Sequence, residues 1–375
     1  MEIRGYNPKV DVSLRGAFLA AAVYAMVLLL FARPFLMMIG GDSDSIDFAV
    51  AYTVVTMVIG GIPTILSATS AHLIRSTGNS KVASFGVALG AVLNMALDPL
   101  FMFVILPKGN EVLGAAIATA ISNAVSLLYF VFYILCHKEN PVYCFTTGGG
   151  KNILVITVDI LKSGIPSFFL LAAGQISNFF LNGMIADMGA SSAVAGIGVV
   201  RKIDSFAYAV NQGITQGMLP IVSYCYASGR ISRMKSVILF SSVCTEIFSL
   251  FCTACSWLFA PQLVRFFIRD ADTILYGSAF LRVLCIAISI YPMLFIIIAV
   301  FQAAGQSLRP FLLSLLHKGS LDIVLFFLIR KWFGTEYILW ASPIMEAFAL
   351  LVGIIMIVRW LSSLKNIRLK KEAVK

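Results

Sequence analysis

The sequence predicts an all-α polytopic membrane protein built from two helical bundles. Of its 375 residues, 59% are hydrophobic and 12% are charged, whereas soluble domains carry about a quarter charged residues. The mean hydropathy is +0.93, and ten separate apolar stretches reach the length of about 20 residues that a spanning helix needs. These stretches are too long and too unbroken for the alternating strands of an outer-membrane barrel. A water-soluble globular fold is therefore excluded.

The ten predicted spans fall into two groups separated by a polar segment. That segment, residues 137–152, contains Pro141 and three glycines before Lys151, which are typical of a linker. We expect a cytoplasmic leader at 1–12, an incomplete first bundle of four helices at 13–136, the cytoplasmic linker at 137–152, a six-helix bundle at 153–361 and a basic cytoplasmic tail at 362–375. The spans are predicted at residues 13–38, 46–70, 82–106, 112–135, 159–187, 193–226, 234–259, 273–300, 309–328 and 337–361.

Lysine and arginine residues predict the orientation of the chain in the membrane. The net charge is +10, and 18 of the 28 basic residues fall in the tails and one set of alternate loops, against 6 in the opposite set. Basic loops stay on the cytoplasmic side, so we expect a multi-pass protein of the cell (inner) membrane with both termini in the cytoplasm. Nucleic acid is not an expected partner. The seven cysteines lack zinc-site spacing, and no cofactor is expected.

Asp98 is the clearest candidate for chemistry within the membrane. An ionised carboxylate in hydrocarbon costs at least about 2.5 kcal/mol, yet Asp98 lies 16 residues into the third predicted span, about 24 Å from its cytoplasmic end at 1.5 Å per residue. Asn94 lies one turn earlier on the same face, and Pro99 removes a backbone hydrogen bond and is expected to kink the helix. This patch could hold a proton or a small cation; a structural pair between Asp98 and another helix is the alternative.

A weak internal repeat relates the two bundles. Three pairs of short motifs recur at an offset of about 228 residues, each in the corresponding span. The last three spans then correspond to spans two to four, and each half of a complete protein has six spans. The repeat therefore predicts that two helices are absent before the first span. The pairs are Gly78-Asn79-Ser80 with Gly305-Gln306-Ser307, Leu93-Asn94 with Leu321-Asp322, and Pro63 with Pro292.

Three stretches of the first bundle resemble the first-lobe signature of the multidrug and toxic compound extrusion (MATE) transporters, and two stretches of the second bundle resemble the second lobe of the bacterial branch. The resemblance covers essentially the whole chain. Members have twelve spans in two six-helix lobes, so the resemblance implies that ten of the twelve helices are present and the first two are lacking. The stretches are Leu73 to Ser80, Leu93 to Phe101, Gly114 to Thr119, Gly164 to Pro166, and Gln216 to Ile221 with Tyr224 and Tyr226.

The resemblance also implies a cation-coupling site. In the MATE family this site is formed by an Asn and an Asp of the fifth helix, a Thr of the sixth and an Asp of the first. The matching residues here are Asn94, Asp98 and Thr119, with H⁺ or Na⁺ at Asp98, and the first-helix Asp has no counterpart. Some members carry a Glu on the seventh helix, where Gly174 and Gln175 stand nearest in this chain. Coupling is therefore expected in the first lobe.

Polar residues of the second bundle are weaker candidates for a substrate pocket. Gln175, Asn211 and Gln216 could offer hydrogen bonds to a ligand in a central cavity, and hydrogen bonding between helices is the equally open alternative. Glu246 and Glu346 are expected to pair with basic residues of neighbouring helices.

Together these features favour a secondary active antiporter that exports amphipathic, cationic organic compounds in exchange for H⁺ or Na⁺. Its expected partners are a small-molecule substrate, the coupling ion and membrane lipid, and a monomer is expected. An N-terminally truncated, non-transporting fragment of such a transporter stays open as an alternative. So does a lipid-linked sugar flippase of the same superfamily, with Arg201, Lys202 and Lys318 as its available cations. The three histidines are far apart, which argues against a membrane enzyme.

Overall fold

The computed structural model describes residues 8–38, 46–137, 153–187, 191–306, 308–317 and 320–373, and every regular element in these ranges is a helix. The prediction of an all-α membrane protein is confirmed. The helices form two compact units, Met1–Lys162 (unit 1) and Ser163–Lys375 (unit 2). This boundary lies inside a helix, after the linker expected at 137–152, of which residues 138–152 lie outside the described residues.

Unit 1 is a small bundle in which one helix contacts most of the others. Helix α5 packs against α3 and α4, and α1 packs against α3. π-helical segments, Val54–Ile59 and Phe101–Ile105, directly continue α2 and α4. The bounds are α1 Pro8–Met38, α2 Ile46–Thr53, α3 Gly61–Ser76, α4 Ser80–Leu100, α5 Glu111–Cys136 and the beginning of α6 Ile153–Ala186.

Unit 2 is larger and is organised around a central helix. Helix α11 packs against α7, α8, α12 and α14, and nearly all of its residues are buried. It is apolar on every side, which is the pattern of a fully buried helix. Besides the remainder of α6, the elements are α7 Ser191–Ala227, α8 Ile231–Leu258, α9 Ala260–Phe267, α10 Ala271–Ile288, α11 Tyr291–Ala303, α12 Leu308–His317, α13 Ser320–Phe333, a 3₁₀ turn Thr335–Trp340 and α14 Ala341–Ala373.

Eight segments of the described residues are long and apolar enough to cross a membrane. They coincide with eight of the ten predicted spans. The other two predictions, 159–187 and 193–226, coincide with α6 and α7, which are 34 and 37 residues long but are not among the eight. In α7 the reason is polarity, because Arg201, Lys202 and Asp204 lie in its middle and amide side chains follow. Of the ten predicted spans, eight thus have the length and composition of a membrane-spanning helix.

The internal repeat has a structural counterpart in two glycine turns. Gly78 and Gly305, which the repeat pairs, have φ angles of +88° and +74°. The Gly78 N–H donates to the carbonyl of Arg75 at 3.0 Å, and the Gly305 N–H donates to that of Gln302 at 2.9 Å. Only glycine adopts this left-handed conformation without steric cost, and it commonly ends a helix. The two motifs therefore perform the same task, which is to end α3 in unit 1 and α11 in unit 2.

Helices α4 and α5 approach closely because each carries a glycine at their contact: Gly86 of α4 faces α5, and Gly114 of α5 faces the segment that continues α4. A Cβ atom on Gly86 would lie 2.4 Å from the Phe130 ring, and one on Gly114 would lie 2.8 Å from the backbone carbonyl of Phe101. The Ser126 hydroxyl donates to the carbonyl of Gly86 at 2.9 Å. Small residues at helix contacts are typical of membrane bundles, where close backbone approach replaces the hydrophobic effect. This contact fixes the position of the polar residues farther along α4.

Substitution of Gly114 tests this packing. Alanine normally stabilises a helix interior relative to glycine by up to about 1 kcal/mol. In Gly114→Ala we expect a net loss of about 1–3 kcal/mol, because the new methyl group meets the Phe101 backbone, which cannot rotate away. Gly16→Ala in α1, where nothing lies within 4 Å, is the matched control and should not lose stability. Thermal unfolding of the purified variants measures both, and equal melting temperatures would contradict the packing described.

The first turn of α10 is capped by a carboxylate just outside the candidate span. Asp270 Oδ2 accepts hydrogen bonds from the Thr273 hydroxyl at 2.7 Å and from its backbone N–H at 2.9 Å. These two hydrogen bonds, of which the one from the hydroxyl has the larger effect, stabilise the ionised form and hold the pKa of Asp270 below its ordinary value. A depressed pKa stabilises the folded protein above the unfolded pKa and loses that effect as the pH falls through the folded pKa.

The stability of α10 should therefore depend on acid pH through Asp270. Asp270→Asn keeps a capping oxygen but removes the charge. We expect the wild type to melt at a higher temperature than Asp270→Asn at pH 7, and the difference to shrink as the pH falls below about 4. Melting curves in one detergent across this range measure it. A difference that is the same at pH 7 and pH 3 would show that the charge of Asp270 has no part in the cap.

Candidate functional site

The three side chains predicted to bind a coupling cation lie together in unit 1. The amide nitrogen of Asn94 donates to Asp98 Oδ1 at 3.1 Å and to Thr119 Oγ1 at 3.3 Å. The Thr119 hydroxyl donates to the carbonyl of Ala115 at 2.9 Å, which leaves its lone pairs free to accept from Asn94. All three side chains are half-buried. We refer to them as the Asn94–Asp98–Thr119 cluster.

The positions of these residues follow from the helical repeat of α4. Gly86, Gly90, Asn94 and Asp98 recur every four residues and so share one face, which α5 contacts. A Cβ atom on Gly90 would lie 3.1 Å from Ser126 Cβ. The glycines thus bring the two helices together, and one turn farther along the same face the Asn94 side chain reaches α5. A larger residue at position 90 would hold the two helices apart.

Pro99 immediately follows the cluster, where the helix changes its hydrogen bonding. Regular α-helix ends at Leu100, and the π-helical segment Phe101–Ile105 takes over. The N–H of Phe101 reaches the carbonyls of Leu97 and Asp98, while Pro99 contributes no N–H. Such π-helical turns are often found at functional sites. The backbone on the C-terminal side of Asp98 therefore departs from regular α-helical hydrogen bonding.

The chemistry of the cluster suits a small hard cation or a proton. Carboxylate, hydroxyl and amide oxygens are the ligands that Na⁺ and other hard cations take in proteins. In this structure the Asn94 N–H group points at the Asp98 carboxylate, which is the arrangement that stabilises an ionised acid. A flip of the amide, which exchanges its oxygen and nitrogen, would present the oxygen from nearly the same position. The same three side chains can therefore serve an ionised Asp98 and a cation-bound or protonated one.

The residues predicted for a substrate pocket are dispersed in unit 2. Asn211 is fully buried, and its amide nitrogen donates to Ser249 Oγ of α8 at 2.8 Å and to the carbonyl of Ala207 at 3.0 Å. Its contacts are thus those of a helix–helix interface, the alternative that the sequence left open. Gln216 is half-buried on the same helix but five residues away, so it faces a different direction. Gln175 of α6 is exposed.

Sequence reasoning missed a buried ionisable pair in unit 2. His317 Nδ1 lies 2.6 Å from Glu346 Oε2, and the two side chains are 7% and 2% exposed. Glu346 was expected to have a basic partner, but the partner could not be named because 29 residues separate the two and no local pattern links them. For Glu246 a carboxyl oxygen is buried without a hydrogen-bond partner among the described residues.

A second polar contact of unit 2 involves the charged group in the middle of α7. The Tyr291 hydroxyl of α11 donates to Asp204 Oδ1 at 3.4 Å. Arg201 lies one turn before Asp204 and interacts with it electrostatically, and Lys202 is exposed. Lys318, the third cation considered for a flippase, lies outside the described residues.

Comparisons with known proteins find similar sequences over most of the chain and similar folds among solved structures. A family model described as MatE matches residues 166–328. The multidrug export protein MepA of Staphylococcus saprophyticus is 24% identical over 345 residues, which are 92% of this chain and 74% of that protein. MepA of Staphylococcus haemolyticus is 25% identical over 272 residues, 72% of this chain and 58% of that protein. The chain thus spans between about three fifths and three quarters of these relatives.

Solved structures show the same fold. The outward-facing conformation of a multidrug resistance MATE family transporter of the MOP superfamily has a TM-score of 0.84 at 21% identity, with 95% of this chain and 79% of that one covered. A crystal structure of MATE in complex with MaL6 has a TM-score of 0.83 at 21% identity, with 96% and 80% covered. Family model, relatives and fold point the same way: residues 166–328 match the MatE family model, and the chain is similar in sequence to multidrug export proteins and in fold to MATE transporters.

Proposed function

We propose that the chain is a secondary active antiporter, which exports amphipathic organic cations and takes up H⁺ or Na⁺ at the Asn94–Asp98–Thr119 cluster. The observation that carries the proposal is the contact of the Asn94 amide with both Asp98 and Thr119. The names of the relatives support multidrug export as the direction and substrate range. The cluster supplies the exchangeable charge that an antiporter needs.

The energetics of Asp98 explain why this cluster is suited to exchange. A carboxylate within a membrane is costly unless it is paired or hydrogen-bonded. A single amide N–H from Asn94 offsets part of this cost, and a charge-assisted hydrogen bond contributes about 1.5–3 kcal/mol. A cation or proton neutralises the acid completely, so the empty and loaded states remain close in free energy. Reversible binding in each cycle depends on this near balance.

Loading of the cluster changes the contact between α4 and α5. With the cation bound, the Asn94 amide no longer needs to donate to Asp98, and its hydrogen bond to Thr119 is released or reversed. The irregular backbone at Pro99 and Phe101–Ile105 allows the end of α4 to adjust. Entry of one positive charge yields about 2.3 kcal/mol per 100 mV of membrane potential, and exit of a monovalent organic cation costs the same amount. A one-for-one exchange is therefore driven by the concentration gradient of the coupling ion.

The charge bias of the loops supports a location in the cell membrane with both termini in the cytoplasm. The 18 basic residues in the tails and one set of loops, against 6 in the other, follow the positive-inside pattern. Asp98 then lies in the outward half of the bilayer, because α4 begins on the cytoplasmic side at Ser80. A cation from outside reaches it before a cytoplasmic one does.

Removal of the Asp98 charge tests the proposal. In Asp98→Asn we expect coupled efflux of a fluorescent organic cation such as ethidium to fall by at least about tenfold, because a loss of about 1.5 kcal/mol in cation binding lowers affinity by that factor. Proteoliposomes with an imposed pH or Na⁺ gradient measure this. Asp47→Asn is the matched control, since Asp47 is an exposed carboxylate of the same unit that pairs with Arg33. Wild-type efflux by Asp98→Asn would refute the proposal.

Thr119 offers a second test that separates the hydroxyl from the packing. Thr119→Val keeps the side-chain shape and removes the acceptor for Asn94, whereas Thr119→Ser keeps the hydroxyl. We expect Thr119→Val to lose about 1 kcal/mol of stability and most Na⁺- or proton-driven efflux, while Thr119→Ser retains both. Melting temperature and efflux are measured on the same preparations. If valine and serine behave alike, the hydroxyl of Thr119 takes no part in the cluster.

A further inference from the structure

The buried pair His317–Glu346 joins two helices of unit 2. His317 is the last residue of α12, and Glu346 lies in the second turn of α14. Their 2.6 Å contact is short and charge-assisted in type. Both side chains are almost completely shielded from solvent. Buried charges are rare and costly unless they are paired, so this arrangement calls for an explanation.

Aromatic rings close the pair off on the side of α11. The Phe295 ring stands at 90° to the His317 ring with centroids 5.1 Å apart, and the Tyr291 ring lies 6.5 Å away. The Glu346 carboxylate, in contact with Nδ1, can compensate the positive charge of an imidazolium ring.

Tyr291 is the ionisable group that the structure relates directly to the pair, and others lie on the neighbouring helices. On α11, Tyr291 interacts electrostatically with Glu346 and donates its hydroxyl hydrogen to Asp204 of α7. Asp204 in turn interacts with Arg201. Further groups on the neighbouring helices of the described chain are Cys252 of α8, Cys285 of α10, Arg309 of α12 and Asp322 of α13.

Charge accounting shows what a proton does at this pair. With the imidazole neutral, its Nδ1–H donates to Glu346 Oε2 and the pair carries one net negative charge. A proton added at Nε2 gives an imidazolium–carboxylate pair of zero net charge, with the Nδ1–H hydrogen bond intact. Low dielectric favours the state without net charge. The change needs no rearrangement of the two side chains.

The internal repeat relates this pair to the cluster of unit 1. The offset that pairs Gly78 with Gly305 also pairs Thr119 with Glu346. Asp322, likewise buried, is the counterpart of Asn94 in the repeat. The helices that carry the cation cluster in unit 1 thus correspond to those that carry ionisable residues in unit 2. Equivalent positions in the two units hold polar groups of different chemistry.

From the contact, its burial and its place in the repeat, we propose that His317 and Glu346 form a reversible proton-binding site in unit 2, separate from the Asn94–Asp98–Thr119 cluster. The proton binds at Nε2 of His317, and Glu346 holds the ring in place and compensates its charge. The site is defined by proton binding alone and does not rest on the proposed antiport.

Nuclear magnetic resonance of ¹⁵N-histidine-labelled protein tests this directly, because the chain has three histidines. His72→Asn and His137→Asn assign the other two signals. We expect the His317 ring nitrogens to change from the imidazolium to the neutral pattern between pH 5 and pH 9 in the wild type. In Glu346→Gln the same change should occur over a different pH range, because the compensating anion is gone.

Controls keep the test decisive even if one variant folds poorly. The wild-type titration needs no substitution at the pair, and Glu346→Asp should restore part of the shift. Glu246→Gln removes another membrane-embedded carboxyl group of unit 2 and should leave the His317 titration unchanged. A His317 signal that keeps one pattern from pH 5 to pH 9, or that titrates identically in Glu346→Gln, would overturn the proposal. Loss of efflux in Asp98→Asn bears only on unit 1, so the two proposals fail independently.

Discussion

The constraint on which the rest of this structure depends is the cost of a carboxylate that lacks a partner in the membrane. In unit 1 the Asp98 carboxylate meets that constraint with one amide N–H from Asn94, and in unit 2 Glu346 meets it with an imidazole. Neither partner is a permanently charged Lys or Arg side chain. An amide or a neutral imidazole stabilises a carboxylate less than a fixed cation does. Both proposals need this property, because a fixed salt bridge would hold the charge of either acid constant.

The fold and the first cluster could be predicted because their signals are local. Apolar stretches of about 20 residues mark spanning helices without knowledge of the partners, and a spacing of four residues puts Asn94 and Asp98 on one face. The family resemblance added Thr119, which lies 25 residues from Asn94 and is joined to it by the observed hydrogen bond. The charged middle of α7, where Asp204 interacts with Arg201 and with Tyr291, makes this helix too polar to be among the eight candidate spans, although the sequence predicted a span at 193–226.

What the sequence did not predict depends on packing between distant segments. The His317–Glu346 contact requires that α12 and α14 lie side by side, and hydrophobic periodicity carries no information about which helices are neighbours. The same holds for Asn211, whose burial against Ser249 depends on the α7–α8 contact. The spacing of glycines was the sequence feature that came nearest to indicating which helix faces pack together. Gly86, Gly90 and Gly114 mark the face where α4 and α5 meet, but each indicates only that something approaches closely.

The repeat explains why unit 1 and unit 2 can divide their chemistry. The paired glycines at 78 and 305 both adopt the left-handed conformation, so the two units share the way in which these helices end. Side chains on the equivalent faces are then free to change, provided that each buried polar group still finds a partner. Unit 1 retains a hydrogen-bonded amide, carboxylate and hydroxyl, and unit 2 holds an imidazole and a carboxylate. The paired positions therefore hold polar groups in both units, and the residue types decide which ion each of the two proposed sites can take.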